Sequence, residues 1–256
     1  MMSLALKDTN MHADHQKVAI VTGASRGIGQ AIALRLAADG FAVVVNYAKR
    51  LDAAQDVVSQ IKQAGGKATA IQADVSDVDA VGNMFDETQA AFGGIDVLVN
   101  NAGILKNANV TDLDDETIDS VIAINLKGSI NTMRQAARRL RDGGRVINIT
   151  SSVIAMSLPT YGLYAASKAA IEAMTPVLAK ELRGRNITVN SVAPGPTATE
   201  LFMEGKPQTF VDHLANLSPL ERLGQPQDIA NAVAFLAGSD GAWINGQTLR
   251  TNGGVI

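Results

Sequence analysis

A short apolar strand, a glycine-rich turn and a helix follow one another without a break near the start of the chain. Residues 17–22 are β-branched and apolar, which predicts a buried strand, and Gly23-Ala-Ser-Arg-Gly27-Ile-Gly29 comes directly after them. Apolar residues then recur at helical spacing as far as Leu36. Such a turn lets backbone N–H groups approach a pyrophosphate at the positive end of a helix. The segment therefore predicts a dinucleotide cradle, with a tight structural turn as the alternative.

The alternation of strands and helices continues along the chain. Apolar patterns predict strands at 41–45, 67–71, 95–99, 145–149 and 187–192, helices at 77–92, 115–140 and 162–183, and a last strand within 243–254. This order is typical of a parallel sheet covered on both faces. The sequence thus predicts an α/β fold, a doubly wound Rossmann-type sheet, in a single domain over residues 17–256. Residues 1–16 are polar and are expected to form a disordered extension.

The end of the second predicted strand indicates which dinucleotide binds. In an NAD-binding unit, an acid near this point would bind the ribose 2′-hydroxyl. Here Asn46 holds the position, and the first carboxylate after it is Asp52. A 2′-phosphate would be attracted by Arg26, Lys49 or Arg50. The charge pattern predicts NADP(H), with a solvated basic turn as the alternative.

A tyrosine, a lysine and a serine are spaced for proton transfer to a carbonyl oxygen. Tyr164 and Lys168 lie one turn apart on one face of the helix predicted at 162–183. An ammonium in that place favours the phenolate and lowers the pKa of the tyrosine. Ser151, just after the strand at 145–149, would donate a hydrogen bond to the substrate oxygen as the proton moves. The alternative for the tyrosine and lysine is a solvated helix face.

Taken in order, these segments resemble the short-chain dehydrogenase/reductase family over about residues 17–254. The matching segments are Thr22-Gly-Ala-Ser-Arg-Gly-Ile-Gly29, Asp74, Asn100-Asn-Ala-Gly103, Asn125, Ser151, Tyr164-x-x-x-Lys168 and Pro194-Gly195. The resemblance implies that the tyrosine is the general acid or base and that the serine orients the carbonyl. It also implies that the lysine binds the nicotinamide ribose and lowers the pKa of the tyrosine.

The resemblance extends to the remaining site residues. It implies that Asn125 helps to hold a water in a proton relay and that Asp74 contacts the adenine amine. Asn101 is expected beside the adenosine ribose, and Thr197 near the nicotinamide carboxamide. The expected catalytic residues are Asn125, Ser151, Tyr164 and Lys168. The expected cofactor-binding residues are Gly23, Ser25, Arg26, Gly27, Ile28, Gly29, Asn46, Lys49, Asp74, Val75, Asn101, Gly103, Tyr164, Lys168, Pro194, Gly195 and Thr197.

Residues 198–218 interrupt the regular alternation. Leu201, Phe202 and Met203 are followed by a glycine, and Phe210 comes after it, which predicts a mobile apolar lid over a substrate. An ordinary pair of surface helices is the alternative. An apolar cover favours a hydrophobic ketone or a 3-oxoacyl chain as the substrate.

The sequence therefore predicts an NADPH-dependent reductase that converts a ketone to a secondary alcohol, with Tyr164 as general acid. The chain is similar to a bacterial branch that includes 3-oxoacyl-carrier-protein reductases, so that activity is one alternative. A non-catalytic nucleotide sensor on the same fold is the other. The basic residues that could receive an acidic carrier protein, or form a solvated face, are Arg138, Arg139, Arg141, Arg183 and Arg185. The resemblance implies a homotetramer.

Charge and composition exclude other classes of function. The net charge of −3 does not indicate binding to nucleic acid. Without cysteine, the chain has no disulfide, catalytic thiolate or cysteine-ligated zinc. His12 and His15 lie in the polar tail and predict no metal site. No apolar stretch approaches the ~20 residues of a membrane span, and the tail lacks the pattern of a secretory signal. A cytoplasmic protein that does not bind a membrane is expected.

Overall fold

The computed structural model describes residues 16–256, and within that range seven strands form one sheet. They are β1 (Val18–Val21), β2 (Ala42–Tyr47), β3 (Ala68–Gln72), β4 (Val97–Asn100), β5 (Arg145–Ile149), β6 (Thr188–Pro194) and β7 (Thr248–Thr251). Their order is β3-β2-β1-β4-β5-β6-β7, and all the pairings are parallel. The doubly wound α/β fold predicted from the sequence is confirmed. All but the last residue of the predicted disordered extension lies outside the described residues.

Helices cover both faces of this sheet. They are α1 (Gly27–Ala38), α2 (Leu51–Gln63), α3 (Val78–Phe92), α4 (Asp115–Val121), α5 (Ser129–Arg139), α6 (Val153–Met156), α7 (Gly162–Glu181), α8 (Glu200–Met203), α9 (Gln208–Asn216) and α10 (Pro226–Ala237). A 3₁₀ turn spans Val110–Asp112, and a π-helical segment spans Ile122–Gly128. In the described range, no helix is both long and apolar enough to cross a membrane.

Two apolar cores hold the layers together. Side chains of α1, α2 and α10 pack on one face of the sheet, and those of α3, α5 and α7 pack on the other. Successive side chains of a strand point to opposite faces, so Ala19 and Val21 of β1 enter the first core and Ile20 enters the second. Strands that are buried on both faces give the continuous apolar runs from which they were predicted.

The helical region predicted at 115–140 is confirmed, but it is not one regular α-helix. The structure divides this region into α4, the π-helical segment and α5. A π-helical segment keeps the direction of the helix and most of its apolar periodicity, so the sequence pattern does not reveal it. Such insertions often occur at functional sites, and this one contains Asn125.

A row of buried polar side chains crosses three strands beneath the carboxyl edge of the sheet. Asn100, Asn148 and Ser191 are aligned in register on β4, β5 and β6. Asn100 Nδ2 donates to Asn148 Oδ1 at 2.9 Å, and Asn148 Nδ2 donates to Oγ1 of Thr175 on α7 at 3.0 Å. Thr132 of α5 donates to Asn100 Oδ1. Because each of these bonds is buried, the row fixes the strand register and fastens α5 and α7 to the sheet.

Candidate active site

A cavity of about 520 Å³ opens at the carboxyl ends of the strands. It lies where the chain passes to opposite sides of β1, to β2 on one side and β4 on the other, which is the usual ligand crevice of a doubly wound sheet. The predicted site residues that line it are Gly23, Ser25, Arg26, Gly27, Ile28, Gly29, Asn46, Lys49, Asp74, Val75, Asn101, Gly103, Ser151, Tyr164, Lys168, Pro194, Gly195 and Thr197. The structure thus brings together every predicted site residue except Asn125.

The glycine turn fits a dinucleotide phosphate. Gly23 and Gly27 have φ angles of +61° and +58°, in the left-handed region that favours glycine. A Cβ at Gly29 would lie 2.5 Å from the Gly23 carbonyl oxygen, so the turn has no room for a side chain at this position. Among the described residues, no side chain caps the start of α1 at Arg26. The first backbone N–H groups of this helix can therefore receive an anion.

Asn46, which the sequence places near the ribose 2′ position, lines the cavity but is held by the backbone around it, and its contact with the ribose stays a prediction. Asn46 lies inside β2, because this strand continues to residue 47, and only 1% of its surface is exposed. Its Oδ1 accepts from Gly23 N at 3.1 Å, and its Nδ2 donates to the Ile71 and Ala73 carbonyl oxygens at 3.3 and 3.1 Å. Both ends of the amide are engaged by backbone, so Asn46 holds the glycine turn in place.

Thr22 and Asn101 fasten the same turn to β4. Thr22 Oγ1 accepts from the backbone N–H groups of Asn101 and Ala102 at 2.9 and 3.0 Å. Asn101 Nδ2 donates to the carbonyl oxygens of Thr22 and Gly23 at 2.9 and 3.1 Å. The sequence placed Thr22 in the family motif but did not indicate this clamp. The only sign of these contacts in the sequence is a threonine immediately before the glycine turn.

Asp74 and Thr197 reach the cavity from β3 and β6. Asp74 is exposed, and its Oδ1 accepts from the backbone N and the Oγ of Ser76 at 2.9 and 2.7 Å. Thr197 is buried and donates to the Gly195 carbonyl oxygen at 2.8 Å. These local bonds fix the two side chains at the cavity wall, and their contacts with adenine and nicotinamide stay predictions.

Ser151, Tyr164 and Lys168 meet at one wall of the cavity. Ser151 follows β5, and the other two lie on the first turns of α7. Lys168 is 4% exposed, and its Nζ donates to the Ile149 carbonyl oxygen at 2.8 Å. The same Nζ is 5.9 Å from the centroid of the half-buried Tyr164 ring. The two hydroxyls and the amine can therefore serve one substrate oxygen.

Burial determines the protonation states of Tyr164 and Lys168. Loss of water raises the pKa of Tyr164 to about 12, although a hydrogen bond with Ser151 acts to lower it. Burial lowers the pKa of Lys168 to about 8. In the protein without cofactor, desolvation of the phenol therefore dominates the pKa of Tyr164. A lowering of that pKa by the lysine, together with a bound nicotinamide, stays a prediction. At neutral pH Tyr164 is protonated, which is the form that can give up a proton.

Asn125 lies behind the cavity wall, fully buried in the π-helical segment. Its Oδ1 accepts from Ile104 N at 2.8 Å, and its Nδ2 donates to Ile104 O at 2.9 Å and Ser167 Oγ at 3.2 Å. A Cβ at Gly103 would lie 3.2 Å from Asn125 Oδ1 and 3.4 Å from Lys168 Nζ, so both atoms sit over the same glycine. Asn125 therefore positions the backbone that lines the cavity, and its role in a water relay stays a prediction.

Apolar side chains line much of the remaining wall. They are Ile104, Leu105, Val153, Met156, Leu158, Leu201, Phe202 and Leu214. The lid side chains predicted from the sequence are only partly right, because Met203 and Phe210 do not line the cavity and Leu214 of α9 does.

Tyr161 also lines the cavity, and its buried hydroxyl has no hydrogen-bond partner among residues 16–256. Within that range no three His, Asp or Glu side chains could hold a metal ion, and His12 and His15 lie outside it.

The basic residues considered as a carrier-protein surface lie at the other edge of the sheet. The helix α7 has 20 residues and is about 30 Å long, and it separates Tyr164 near its start from Arg183 and Arg185 beyond its end. Arg185 bonds to Asp142 at 2.8 Å, and Arg141 bonds to Asp96 at 3.0 Å. Arg139 pairs with an exposed aspartate of α3. Arg139, Arg141 and Arg185 thus bind within the fold, whereas Arg138 and Arg183 are exposed. None of the five lines the cavity.

Comparisons with known proteins agree with this geometry. A family model described as Enoyl-(Acyl carrier protein) reductase matches residues 23–256. The chain is similar to a short-chain type dehydrogenase/reductase from Picea abies, at 46% identity over 94% of this chain and 92% of the relative. It is 44% identical to an NADPH-dependent aldehyde reductase-like chloroplastic protein from Arabidopsis thaliana, over 94% of each chain. A 3-oxoacyl-[acyl-carrier-protein] reductase from Staphylococcus epidermidis is also 44% identical, over 93% and 98%.

A similar solved structure contains the expected cofactor. A short chain dehydrogenase from Burkholderia cenocepacia, in complex with NADP, has a TM-score of 0.89 and 42% identity. The match covers 94% of this chain and 98% of that one.

The position of Asn46 predicts different results for two aspartate substitutions. Asn46→Asp removes the donors to Ile71 and Ala73, so we expect NADPH and NADH to bind more weakly by similar factors. Ala48 is exposed at the cavity mouth just after β2. There, Ala48→Asp places a charge that repels a 2′-phosphate, and we expect the NADPH-to-NADH ratio of kcat/KM to fall at least tenfold, or about 1.4 kcal/mol. Steady-state kinetics with both cofactors measures the ratio. A reversal of preference by Asn46→Asp alone would contradict the assignment.

Proposed function

The chain belongs to the short-chain dehydrogenase/reductase family and is an NADP-dependent oxidoreductase, and we propose that it reduces a ketone to a secondary alcohol with Tyr164 as general acid. The observation that carries this proposal is that a phenol, a serine hydroxyl and a buried lysine line the same cavity as the glycine turn. Membership of this family of enzymes leaves the non-catalytic sensor without support.

Each of the three side chains has a distinct task in the proposed reaction. Bound NADPH supplies the hydride that the carbonyl carbon receives. Ser151 donates a hydrogen bond to the carbonyl oxygen and orients it, while Tyr164 gives its proton to that oxygen as negative charge develops. Lys168 stabilises the phenolate that remains, because its ammonium lies on the next turn of α7. The carbon gains a hydride and the oxygen gains a proton, so the product is an alcohol.

The substrate proposed for this cavity is an apolar ketone. Its wall includes Met156, Leu158 and Phe202, and these favour an aliphatic or aromatic group beside the reacting carbonyl. We propose that residues 198–218 form a lid over it. An acyl chain remains a second candidate because one relative is named as a 3-oxoacyl-carrier-protein reductase. A carrier protein would have to approach the cavity mouth without Arg183 and Arg185, so we favour the free ketone.

The assembly proposed for the protein is a homotetramer. The resemblance of the sequence to its family motivates this proposal, and the free edge of the sheet agrees with it. β7 pairs with β6 on one side only within the described residues, and Trp243 beside it is 98% exposed. An unpaired strand edge with an exposed large aromatic side chain is typical of an interface. For the compartment we propose the cytoplasm, by resemblance to bacterial reductases.

Removal of one hydroxyl tests the general acid. We expect Tyr164→Phe to lower kcat at least 10²-fold, because a positioned proton donor is lost, with little change in the Kd of NADPH. Tyr161→Phe is the matched control: it removes a phenol hydroxyl from the same wall that has no partner, and kcat should stay within a few-fold. Stopped-flow kinetics and fluorescence titration of NADPH give both numbers. Substantial turnover by a folded Tyr164→Phe protein would refute the assignment.

Chain length and reaction type distinguish the candidate substrates. We expect kcat/KM for 3-oxo esters to rise several-fold when the acyl chain gains two carbons, because each buried methylene contributes about 0.8 kcal/mol, until the cavity is full. A 3-oxoacyl thioester of a carrier protein should be no better than the matching ester. NADPH oxidation by a 2,3-unsaturated ester, which has a C=C bond but no ketone, should be slow. A flat or falling ester series would contradict the apolar pocket, and a strong preference for the carrier thioester would favour the acyl-chain candidate.

A further inference from the structure

One carboxylate bridges the basic corner of the cavity to the segment that follows β6. Glu200 is the first residue of α8, and its Oε2 accepts from Arg26 Nη1 at 2.6 Å. Arg50 donates to both oxygens of the same carboxylate, each at 3.3 Å. Arg26 lies in the glycine turn directly before α1, Arg50 directly precedes α2, and all three residues line the cavity. Glu200 thus holds two arginines from separate parts of the cofactor site.

The ion pairs of Glu200 with Arg26 and Arg50 hold the free protein in one arrangement, but another anion can replace the carboxylate. The two guanidinium groups, Arg26 first, hold the pKa of the Glu200 carboxyl below its usual range, so it is ionised. The side chains of Arg26, Arg50 and Glu200 are 42%, 53% and 56% exposed. Ion pairs in water-exposed positions contribute little to stability. A stronger anion at the same place can therefore displace the carboxylate.

A 2′-phosphate is such an anion. It carries a charge of roughly −1.5 to −2 and three acceptor oxygens, whereas the carboxylate carries one negative charge and two oxygens. Arginine binds phosphate in a bidentate manner as readily as it binds carboxylate. NADP(H) carries this group on the ribose that bears adenine, and NAD(H) lacks it. Only NADP(H) therefore competes with Glu200 for both arginines.

We propose that Glu200 is a specificity-determining residue that occupies Arg26 and Arg50 in the free protein and is displaced by the 2′-phosphate of NADP(H). Displacement frees the first turn of α8, which belongs to the proposed lid at 198–218. Binding of the 2′-phosphate thereby loosens the segment that we place over the substrate. With NAD(H) the ion pairs persist, and α8 keeps its resting contacts. The effect on the substrate segment rests on the proposed lid, whereas the competition for the two arginines does not depend on ketone reduction.

Binding of two nucleotides without a nicotinamide tests the proposal and leaves ketone reduction out of the measurement. Adenosine 2′,5′-bisphosphate and 5′-AMP differ in the 2′-phosphate alone. We expect Glu200→Gln to lower the Kd of the bisphosphate about 3–10-fold in calorimetric titrations and to leave the Kd of 5′-AMP within twofold. Glu204→Gln removes the same charge from the exposed end of α8 and serves as the matched control. It should change both constants less than twofold.

Hydrogen exchange reports on α8 in the same samples. The bisphosphate should speed exchange of the backbone amides of residues 200–204 in the unmodified protein, while 5′-AMP should not. Glu200→Gln should show the faster exchange without any nucleotide. Weaker or unchanged binding of the bisphosphate by Glu200→Gln would overturn the proposal, because Glu200 would then orient the arginines for the phosphate. Equal effects of Glu200→Gln and Glu204→Gln would also overturn it, since they would reflect net charge alone.

Discussion

The close packing of the glycine turn between β2 and β4 is the constraint on which the site depends. Asn46 accepts a hydrogen bond from Gly23, and Asn101 donates to the carbonyl oxygens of Thr22 and Gly23. The start of α1 can approach Asn101 and the Gly23 carbonyl oxygen this closely only because Gly29 lacks a side chain. These buried amide contacts place the start of α1 at the point where the strand order reverses. The phosphate cradle and the cavity follow from that placement.

A second buried group determines the chemistry. The row from Asn100 through Asn148 to Thr175 fastens α7 to the sheet, and α7 in turn carries Tyr164 and Lys168 into the cavity. Loss of water raises the pKa of Tyr164, which keeps the phenol protonated, and lowers the pKa of Lys168. The site is therefore prepared to give a proton, which suits reduction of a carbonyl. A bound cofactor and substrate add the charges that allow the proton to leave.

The sequence predicted those features that local patterns encode. Continuous apolar runs gave the strands, the glycine spacing gave the turn, and the spacing of Tyr164 and Lys168 placed both on one helix face. The backbone partners of Asn46 lie more than 20 residues away along the chain, so no local pattern indicates that both ends of its amide are engaged. The balance between desolvation and charge at Tyr164 also depends on the folded surroundings. The pairing of Glu200 with Arg26 and Arg50 joins residues at least 150 positions apart, and no sequence pattern indicates it.

The pH dependence of kcat/KM for ketone reduction tests the central claim, that burial holds Tyr164 as a protonated acid beside a lysine that is close to losing its charge. This constant reports the groups of the enzyme before the ketone binds. The account predicts a flat profile below pH 7 and a fall above about 8, where Lys168 loses its proton. In Lys168→Arg the fall should move to higher pH, because the guanidinium remains charged. A fall that stays at the same pH in Lys168→Arg would contradict it, because the group that titrates would then be Tyr164, whose phenolate cannot give a proton to the ketone.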